Sequence, residues 1–433
     1  MATTSPATAI DGAEFAAWLD RLGPFEPDPC LAVGVSGGPD SSALALLTRD
    51  FLARRGGTLI GLIVDHGLRE NSAAEAALTA TRLADQAIPS RILTLHGLSA
   101  GSGLAARARA ARLHALESAC AASGILHLLL GHHAEDQAET QFMRRRSGSG
   151  AAGLAGIAAV REARAVRVLR PLLTASRARL AATCRAAGLA VITDPSNANP
   201  ATGRAQARAA LSGIVPDRAE AHRLGAARAE AEARLADILA QRVQFSELGY
   251  ALITPGPLPQ AALGAVLRVI GGRAFAPRHA ALAPLAQALR PATLGGARLL
   301  AAGRLGPGWL VVRESWPGPV PAHPGAVWDR FTLTLGGVPP GVPLGVPLGV
   351  PPGAMLGVML GALGDAKPEP AASLPRAVRQ ALPALWHGAT LLAVPQLGYF
   401  TPACPGPLTL AFTPPAPAAG APFLPAPAGS DPV

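Results

Sequence analysis

The sequence predicts an α/β fold in which helices cover both faces of a doubly wound parallel sheet. Apolar runs at 31–35 (LAVGV), 58–65 (TLIGLIVD) and 125–130 (ILHLLL) alternate with helical patterns at 73–87 and 104–123. Runs this apolar are typical of strands buried on both faces, and helices of this length suit the crossovers between parallel strands. Ligands bind at the carboxyl ends of such strands, so we expect the functional site in the loops that follow them.

The remainder of the first half completes the same unit. The pattern predicts a short strand at 92–95, a helix from about Ala134, an extended piece at 166–173 and a helix at 176–187. The loops that leave the strand ends read SGGPDS, DHGLRE and GHHAEDQ. These three loops contain most of the polar side chains that could do chemistry.

The second half predicts a helical middle domain. A long helix of mixed charge at 216–243 leads to helical patterns at 259–270 and 279–289. A hairpin is then predicted at 297–314, where two short apolar runs flank a glycine-rich turn.

A degenerate C-terminal region is expected after this middle domain. Glycines recur every four residues from 337 to 353, and this composition cannot bury a core. A short helix at 374–386 and a strand-like segment at 391–399 follow, and the proline- and alanine-rich end predicts disorder. The predicted organisation is an N-terminal extension at 1–25, a catalytic domain at 26–215, a helical linker and second domain at 216–315, and a C-terminal region at 316–433 with a Gly/Pro-rich insert at 336–364 and a disordered tail at 413–433.

Charge and cysteine content narrow the class of protein. The 433 residues include 38 basic and 28 acidic side chains, and the net charge of +10 comes almost entirely from arginine. This surface favours a nucleic-acid partner over a membrane. The first residues lack the pattern of a signal peptide, so we expect a cytoplasmic protein. The four cysteines form no CxxC pair, which argues against a zinc site and a disulfide framework: Cys30, Cys120, Cys184 and Cys404.

The first strand ends in an anion-binding turn. Glycines let the backbone approach a ligand closely, and N–H groups at a helix start attract negative charge. The turn lacks the lysine of a GxxxxGK phosphate loop, and Lys367 is the only lysine in the chain. An ordinary strand–helix turn is the alternative interpretation. The residues assigned to the ligand are Ser36, Gly37, Gly38, Pro39, Asp40 and Ser41.

A second polar group lies at the start of the helix near Ala134. His132 and Asp136 are four residues apart and share one face close to the positive end of the helix dipole, and Glu139 follows on the next turn. We interpret these side chains as catalytic or substrate-binding, with helix capping by Glu135 or Asp136 as the alternative. The two adjacent histidines point in different directions and no cysteine joins them, so we predict no protein-bound metal site here.

Two arginine pairs could bind phosphate. Arg109 and Arg112 share a helical face because they are three residues apart, and Arg204 and Arg208 are four apart. In a chain this rich in arginine, a solvated face is the alternative for each pair.

Six segments occur in an order that resembles the tRNA(Ile)-lysidine synthase family. They read VDHGLR, ARAARLHAL, GHHAEDQAET, RSGSGAAGLAGI, RPLL and DPSNANPATGRAQAR, and they follow an SGGPDS loop that is similar to the PP-loop of the N-type ATP pyrophosphatases. The resemblance is dense over the first half of the chain and loose over the second. It implies an adenine nucleotide alpha hydrolase-like fold and a tRNA-binding role for the middle domain.

The resemblance implies a carbon–nitrogen ligase that uses ATP with Mg²⁺. Free L-lysine would be joined to C2 of the wobble cytidine in the CAU-anticodon isoleucine tRNA through an adenylated intermediate, with release of AMP and pyrophosphate. Asp40, Asp136 and Arg112 would be catalytic, and Glu139 would receive the lysine. The substrate-binding residues that the resemblance implies are Arg109, Arg112, His132, Asp136, Glu139, Arg204 and Arg208.

The sequence departs from the family pattern at several positions, and two other functions stay open. Glu135 replaces an aspartate and Leu113 a tyrosine, and three further departures occur in the DPSN segment, at Asn199, Thr202 and Gln206. A tRNA thiolase on the same scaffold, such as a cytidine 2-thiolation enzyme, is one alternative, although it would need a cysteine pair. A nonenzymatic, ATP-responsive RNA-binding protein is the other. The sequence leaves open whether the chain forms a homodimer.

Overall fold

The computed structural model describes residues 7–68, 71–97, 101, 103–163, 165–192, 203–211, 218–335, 355–404, 406, 408–420 and 423–425. The chain divides into two compact units. The first unit comprises Met1–Ala231 together with Ala421–Val433, and the second comprises Glu232–Gly420.

A six-stranded sheet forms the centre of the first unit. Its strand order is β3-β2-β1-β4-β6-β5, and every pairing is parallel except the one between β5 and β6. The expected doubly wound parallel sheet is therefore confirmed, with an antiparallel edge strand that was too short to predict. The strands are β1 Cys30–Val35, β2 Thr58–Asp65, β3 Ser90–Thr94, β4 His127–Leu130, β5 Val160–Glu162 and β6 Arg167–Leu169.

Helices cover both faces of this sheet. One face carries a core that includes Phe15, Leu44 and Leu180, and the other carries a core that includes Leu116 and Leu128. Both cores exclude water almost completely, which accounts for the continuous apolar character of β1 and β4. The helices are α1 Gly12–Asp20, α2 Pro39–Arg55, α3 Ser72–Asp85, α4 Leu104–Ala122, α5 Ala134–Arg146, α6 Ala151–Leu154, α7 Arg177–Ala186 and α8 Gly203–Ala210.

Helix α1 lies within residues 1–25, for which the sequence predicted only an N-terminal extension. Asp11 caps it by accepting hydrogen bonds from the backbone N–H groups of Ala13 and Glu14, both at 2.8 Å. Phe15 and Leu19 are fully buried in the core of the sheet. Residues 12–20 are therefore an integral layer of the first unit.

The second unit begins within α9 (Arg218–Arg242) and contains a five-stranded antiparallel sheet of order β7-β8-β11-β10-β9. Helices α10 (Gln260–Ile270) and α11 (His279–Gln287) bury Leu263, Val266 and Leu282 beside it. The sequence predicted these helices and the β10–β11 hairpin. It missed the other three strands because runs of three residues show no period. The strands are β7 Val243–Phe245, β8 Ala251–Ile253, β9 Ala292–Leu294, β10 Ala297–Ala301 and β11 Trp309–Arg313.

Two further sheets form the end of the second unit, where a degenerate region was expected. Their orders are β12-β15-β16-β17-β18 and β13-β14-β19, and they share a core that contains Trp328, Phe331, Leu360 and Leu385. The expected four-residue repeat at 337–353 lies outside the described residues. The strands are β12 Val320–Pro321, β13 Val327–Trp328, β14 Phe331–Leu335, β15 Val358–Ala362, β16 Pro383–His387, β17 Thr390–Val394, β18 Tyr399–Phe400 and β19 Leu408–Phe412.

The helix predicted at 374–386 is wrong in its second half. Helix α12 spans only Arg376–Gln380, and the residues from Pro383 onward form β16. Proline cannot donate an intrahelical hydrogen bond, and it disfavours helical geometry in the residue before it. The apolar residues of 383–387 pair with β15 and β17 instead of continuing a helical face.

Part of the tail predicted as disordered makes defined contacts within the first unit. Phe423 is 4% exposed, and the Arg228 guanidinium lies 4.5 Å from the centre of its ring. Leu424 accepts a hydrogen bond from the backbone N–H of Ala159 at 2.9 Å. None of the helices that the structure describes is both long and apolar enough to cross a bilayer.

Candidate active site

The turn between β1 and α2 has the geometry of an anion-binding loop. Gly37 has φ +80°, and a Cβ there would lie 2.6 Å from Thr79 Oγ1, so only glycine fits. Ser41 Oγ accepts a hydrogen bond from the backbone N–H of Ser36 at 3.0 Å and lies 3.1 Å from Ser36 Oγ. These contacts hold the two hydroxyls on one side of the turn, where they can meet the same ligand.

The N-terminus of α2 leaves backbone N–H groups at this turn. Gly38 is the N-cap residue without a side-chain cap, and Pro39 is the first helical residue. The backbone N–H of Ser42 donates to Gly38 O, so the N–H groups of Asp40 and Ser41 precede this first bond of the helix. With the helix dipole behind them, these groups favour an anionic ligand such as a phosphate.

Asp40 lies where the end of β4 approaches the start of α2. Gly131 makes this approach possible, because a Cβ there would be 3.0 Å from the backbone carbonyl of Asp40. Asp40 Oδ2 lies 3.5 Å from His133 Nε2, and Oδ1 lies 4.0 Å from Arg177 Nε. Oδ1 is buried and has no hydrogen-bond partner in the part of the chain that the structure describes. A buried carboxylate oxygen without a partner is a candidate for contact with a cation or another ligand.

His133 joins Asp40 to two carboxylates at the start of α5. Its Nε2 lies 3.5 Å from Asp136 Oδ2, and its Nδ1 lies 2.8 Å from Glu135 Oε2. Asp136 also accepts a hydrogen bond from the backbone N–H of His133 at 3.1 Å, which completes a capping box. Glu135 in turn accepts from the backbone N–H of Arg177 at 3.1 Å, at the start of α7.

The carboxylates around His133 keep it positively charged. Burial by itself would lower the pKa of this imidazole, but hydrogen bonds to Asp40 and Glu135 and the negative charge of Asp136 outweigh it and raise the pKa to about 10. Burial would raise the pKa of Glu135, yet His133 and the backbone N–H of Arg177 lower it. His133 is therefore an imidazolium at neutral pH and partly balances three negative charges at this end of the sheet.

Glu139 lies one turn further along α5 and is 2% exposed. Its Oε1 accepts a hydrogen bond from Arg208 Nε of α8 at 2.9 Å, and its Oε2 is buried without a hydrogen-bond partner among the described residues. The structure therefore brings together two of the predicted substrate-binding residues, one carboxylate and one guanidinium. The carboxylate keeps one oxygen for another donor.

The other predicted substrate-binding residues are Arg109, Arg112, His132 and Arg204. Arg109 Nη2 of α4 lies 3.1 Å from His132 Nε2, so these two predicted residues are in contact just before the N-terminus of α5. Arg112 is exposed on the same helix. The side chain of Arg204 lies outside the described residues, as do the DPSN residues 194–197. Leu113, at the position of the missing tyrosine, is partly buried beside the core under α4.

The structure adds three residues that sequence reasoning did not select: His133, Glu135 and Arg177. His133 is adjacent to His132 in sequence, and no pattern distinguished which of the two would point inward. Glu135 was considered only as a helix cap and as a departure from the family pattern. Arg177 reaches the site because α7 starts beside α5, a proximity between elements that are forty residues apart.

The glycine-rich segment after α5 is held against that helix. Arg144 Nη1 donates to the carbonyl of Gly153 at 2.6 Å and to that of Gly156 at 2.8 Å. Gly156 has φ +78°, and a Cβ there would overlap Gln137 Oε1. The backbone N–H of Ile157 donates to the same Gln137 oxygen at 2.6 Å. These hydrogen bonds therefore hold the segment in a fixed position against α5.

The protein side chains that the structure describes do not by themselves form a metal site here. Among the described residues, no cluster of three or more His, Cys, Asp or Glu side chains could hold a metal ion. Two carboxylates, from Asp40 and Asp136, do lie at equal distance from the same imidazole nitrogen.

The chain is similar to known proteins of one family. The sequence profile of the PP-loop domain matches residues 13–214. A tRNA(Ile)-lysidine synthase from Hyphomonas neptunium is 37% identical over 318 residues, which cover 68% of this chain and 84% of that protein. A tRNA(Ile)-lysidine synthase from Bradyrhizobium sp. is 37% identical over 208 residues, which cover 47% of this chain and 58% of that protein.

A solved structure overlaps with the chain more weakly. It is that of the U34-tRNA thiolase NcsA from Methanococcus maripaludis with its 4Fe–4S cluster, at a TM-score of 0.40 and 16% identity, over 47% of this chain and 72% of that one.

Proposed function

The chain belongs to the tRNA(Ile)-lysidine synthase family, and we propose that it joins free L-lysine to C2 of the wobble cytidine in the CAU-anticodon isoleucine tRNA. The PP-loop domain supports the use of ATP. The observation that carries the proposal is the placement of Asp40, His133 and Asp136 at the end of an anion-binding turn that lacks a lysine. This arrangement suits the cleavage of ATP between the α and β phosphates, in which the pyrophosphate leaves.

The first step adenylates the cytidine. The O2 atom of the base attacks the α phosphorus of ATP, the bond to the β phosphate breaks, and pyrophosphate departs with the electron pair. The N–H groups of the turn and the Ser36 and Ser41 hydroxyls are placed to hold the departing phosphates. The base must leave the anticodon stack to be reached, as recognition of single-stranded RNA generally requires.

Magnesium fits this site as a partner of ATP. Mg²⁺ is usually bound through one or two carboxylates together with substrate phosphates and water. Asp40 and Asp136 would hold it, since Asp40 Oδ1 is buried without a hydrogen-bond partner and both carboxylates approach the same imidazole. A bound Mg²⁺ would neutralise phosphate charge as the pyrophosphate leaves.

The second step transfers lysine. The ε-amine attacks C2 of the adenylated cytidine, loses a proton and expels AMP. We assign Glu139 to the α-ammonium or side-chain amine of lysine, because one of its oxygens is buried without a partner. Arg208 on the other oxygen balances the charge of Glu139 until lysine arrives. Arg109, Arg112 and Arg204 are assigned to the tRNA.

The cysteines do not favour the thiolase alternative. All four are free, and Cys120 and Cys184 are buried in the first unit. Burial raises the pKa of Cys120 to about 12 and that of Cys184 to about 11, so neither forms the thiolate that a sulfur carrier needs.

The Asp40→Asn variant tests the proposal. We expect the wild-type enzyme to convert ATP to AMP and pyrophosphate only with CAU-anticodon isoleucine tRNA, and nucleoside analysis to show lysidine when lysine is present. Asp40→Asn should abolish both products and leave the thermal midpoint nearly unchanged. Asp50→Asn, an exposed change on the same helix, is the matched control and should retain activity. ADP as the product would contradict the proposed function.

A further inference from the structure

One segment of the second unit has no negative charge. The residues from 248 to 313 include no aspartate or glutamate, but they include seven arginines and one histidine. Several of these arginines have internal partners: Arg313 bonds to Asp329, and Arg268 and Arg290 bond to backbone carbonyls. Arg273 and Arg278 are exposed in the loop between α10 and α11, and His279 is exposed at the start of α11.

The same loop exposes a phenylalanine. Phe275 is 84% exposed, far more than any other aromatic side chain among the described residues. It lies between Arg273 and Arg278, and neither arginine forms an ion pair with a carboxylate that the structure describes. An aromatic ring with two arginines close to it in sequence is a combination that can bind an unpaired base and its neighbouring phosphates.

The exposure of Phe275 results from the shape of a tethered loop. The backbone N–H of Arg273 donates to Arg268 O at 3.0 Å, and Gln260 Nε2 donates to His279 O at 2.8 Å. Pro277 lies against Gly295, where a Cβ would be 2.7 Å from Pro277 Cγ. The residues on both sides of Phe275 are therefore fastened to the unit, and the ring between them points to solvent. A preorganised platform loses little conformational entropy when it binds a ligand.

We propose that Phe275 stacks on an unpaired base of the tRNA substrate and that Arg273 and Arg278 bind the adjacent phosphates. The identity of the RNA rests on the proposed function, whereas the surface rests on the loop itself. The charge argues for RNA, because a segment without carboxylates attracts a polyanion along its whole length. Ala274 and Ala276 are the sequence neighbours of Phe275, so they add little apolar surface for a protein partner.

The test compares tRNA binding by full-length variants at fixed salt. Stacking on an aromatic side chain is usually worth about 1–3 kcal/mol, so Phe275→Ala should weaken the affinity for tRNA by roughly 5- to 100-fold. Phe275→Trp should stay close to wild type because it keeps a stacking surface. Leu356→Ala is the matched control, since Leu356 is 85% exposed in the same unit and has no arginine beside it in sequence. The control should bind like wild type.

The salt dependence separates the arginines from the ring. Each of Arg273→Ala and Arg278→Ala should lower the slope of log affinity against log salt by about 0.7–0.9, whereas Phe275→Ala should leave the slope unchanged. A photocrosslinking amino acid at position 275 should attach to an unpaired nucleotide of the tRNA.

The outcomes distinguish the platform from the proposed function. Wild-type tRNA affinity in Phe275→Ala would overturn the platform even if the enzyme makes lysidine. A loss of affinity in that variant, in a protein that makes no lysidine, would support the platform and contradict the proposed function. A change in oligomeric state with unchanged tRNA affinity would show that the loop joins two copies of the chain, and this also overturns the proposal.

Discussion

At the scale of single residues, α5 and its N-cap contribute to two separate groups of charged side chains, one around His133 and one around Glu139. The imidazolium of His133 stands between Asp40, Glu135 and Asp136, and it reduces repulsion where the phosphates of ATP must approach. Glu139 stands apart from them with Arg208. The separation by one helical turn places Asp136 and Glu139 in different surroundings on the same helix, as the proposed binding of a nucleotide and an amine requires.

The first residue-scale prediction separates lysine binding from adenylation. Glu139→Gln should remove a charge-assisted contact worth about 1.5–3 kcal/mol, which raises the lysine concentration needed for half-maximal rate by roughly tenfold or more. Adenylation of tRNA without lysine should persist. Arg112→Ala should instead impair adenylation if its guanidinium serves the tRNA or the developing charge.

Single-turnover trapping of adenylated tRNA, followed by a lysine chase, measures both effects. Glu162→Gln is the control, since Glu162 is an exposed glutamate in the same unit. If Glu139→Gln blocks adenylation as completely as Asp40→Asn, Glu139 does not act as a lysine-binding residue.

The second residue-scale prediction concerns pH. The pKa of folded His133 is about 10 and its ordinary value is 6.5, so the folded state holds this proton more tightly. The stabilisation is complete below about pH 6.5 and is lost as the pH rises through 10. In urea unfolding, His133→Asn should lose about 3–5 kcal/mol at pH 7, because three carboxylates lose their shared cation.

The variant should also show a weaker decline of stability between pH 7 and 10 than the wild type. Parallel stability curves for the two proteins over this range would contradict the charged state assigned to His133.

At the scale of elements, glycines let the elements of the site approach one another. Gly131 lets β4 approach α2, and Gly156 lets the following segment lie against Gln137 of α5. In the second unit, the loop between α10 and α11 is fastened at both ends and exposes Phe275. The site in the first unit and the loop around Phe275 are therefore both short connections held by packed elements, as is usual for binding loops.

The element-scale prediction addresses the four-residue repeat at 337–353. Because its glycines and prolines cannot bury a core, replacing it with a short Gly/Ser linker should change the thermal midpoint by no more than a few degrees. Lysidine formation should stay near the wild-type rate. Differential scanning calorimetry and nucleoside analysis measure the two quantities. A large loss of tRNA affinity would instead identify the repeat as a binding element.

At the scale of the whole molecule, the main electrostatic feature is the net positive charge. A net charge of +10 from arginine should draw tRNA to the enzyme through phosphate contacts that release counterions. We therefore expect KM for tRNA to rise steeply with salt in steady-state assays, while kcat at saturating tRNA changes little. The KM for ATP should respond less, because ATP binds through fewer contacts in a half-buried turn. Equal salt dependence of the two KM values would contradict this division.

The sequence by itself determined the fold class and the position of the turn to which we assign the nucleotide. Short continuous apolar runs that alternate with helical patterns are typical of a sheet buried on both faces, and the SGGPDS turn is local chemistry between neighbouring residues. Helices α9 to α11 were likewise predicted, because their periodicity is long enough to recognise.

Only the tertiary structure decided which charges meet. Asp40, His133 and Arg177 come from segments far apart in sequence, and no local pattern reports that their side chains converge. The short strands of the second unit obtain their hydrogen bonds from distant partners, so their sequences carry little signal of their own. The pairing of Glu139 with Arg208 and the exposure of Phe275 follow from the same cause: contact and burial are set by the packing of whole elements.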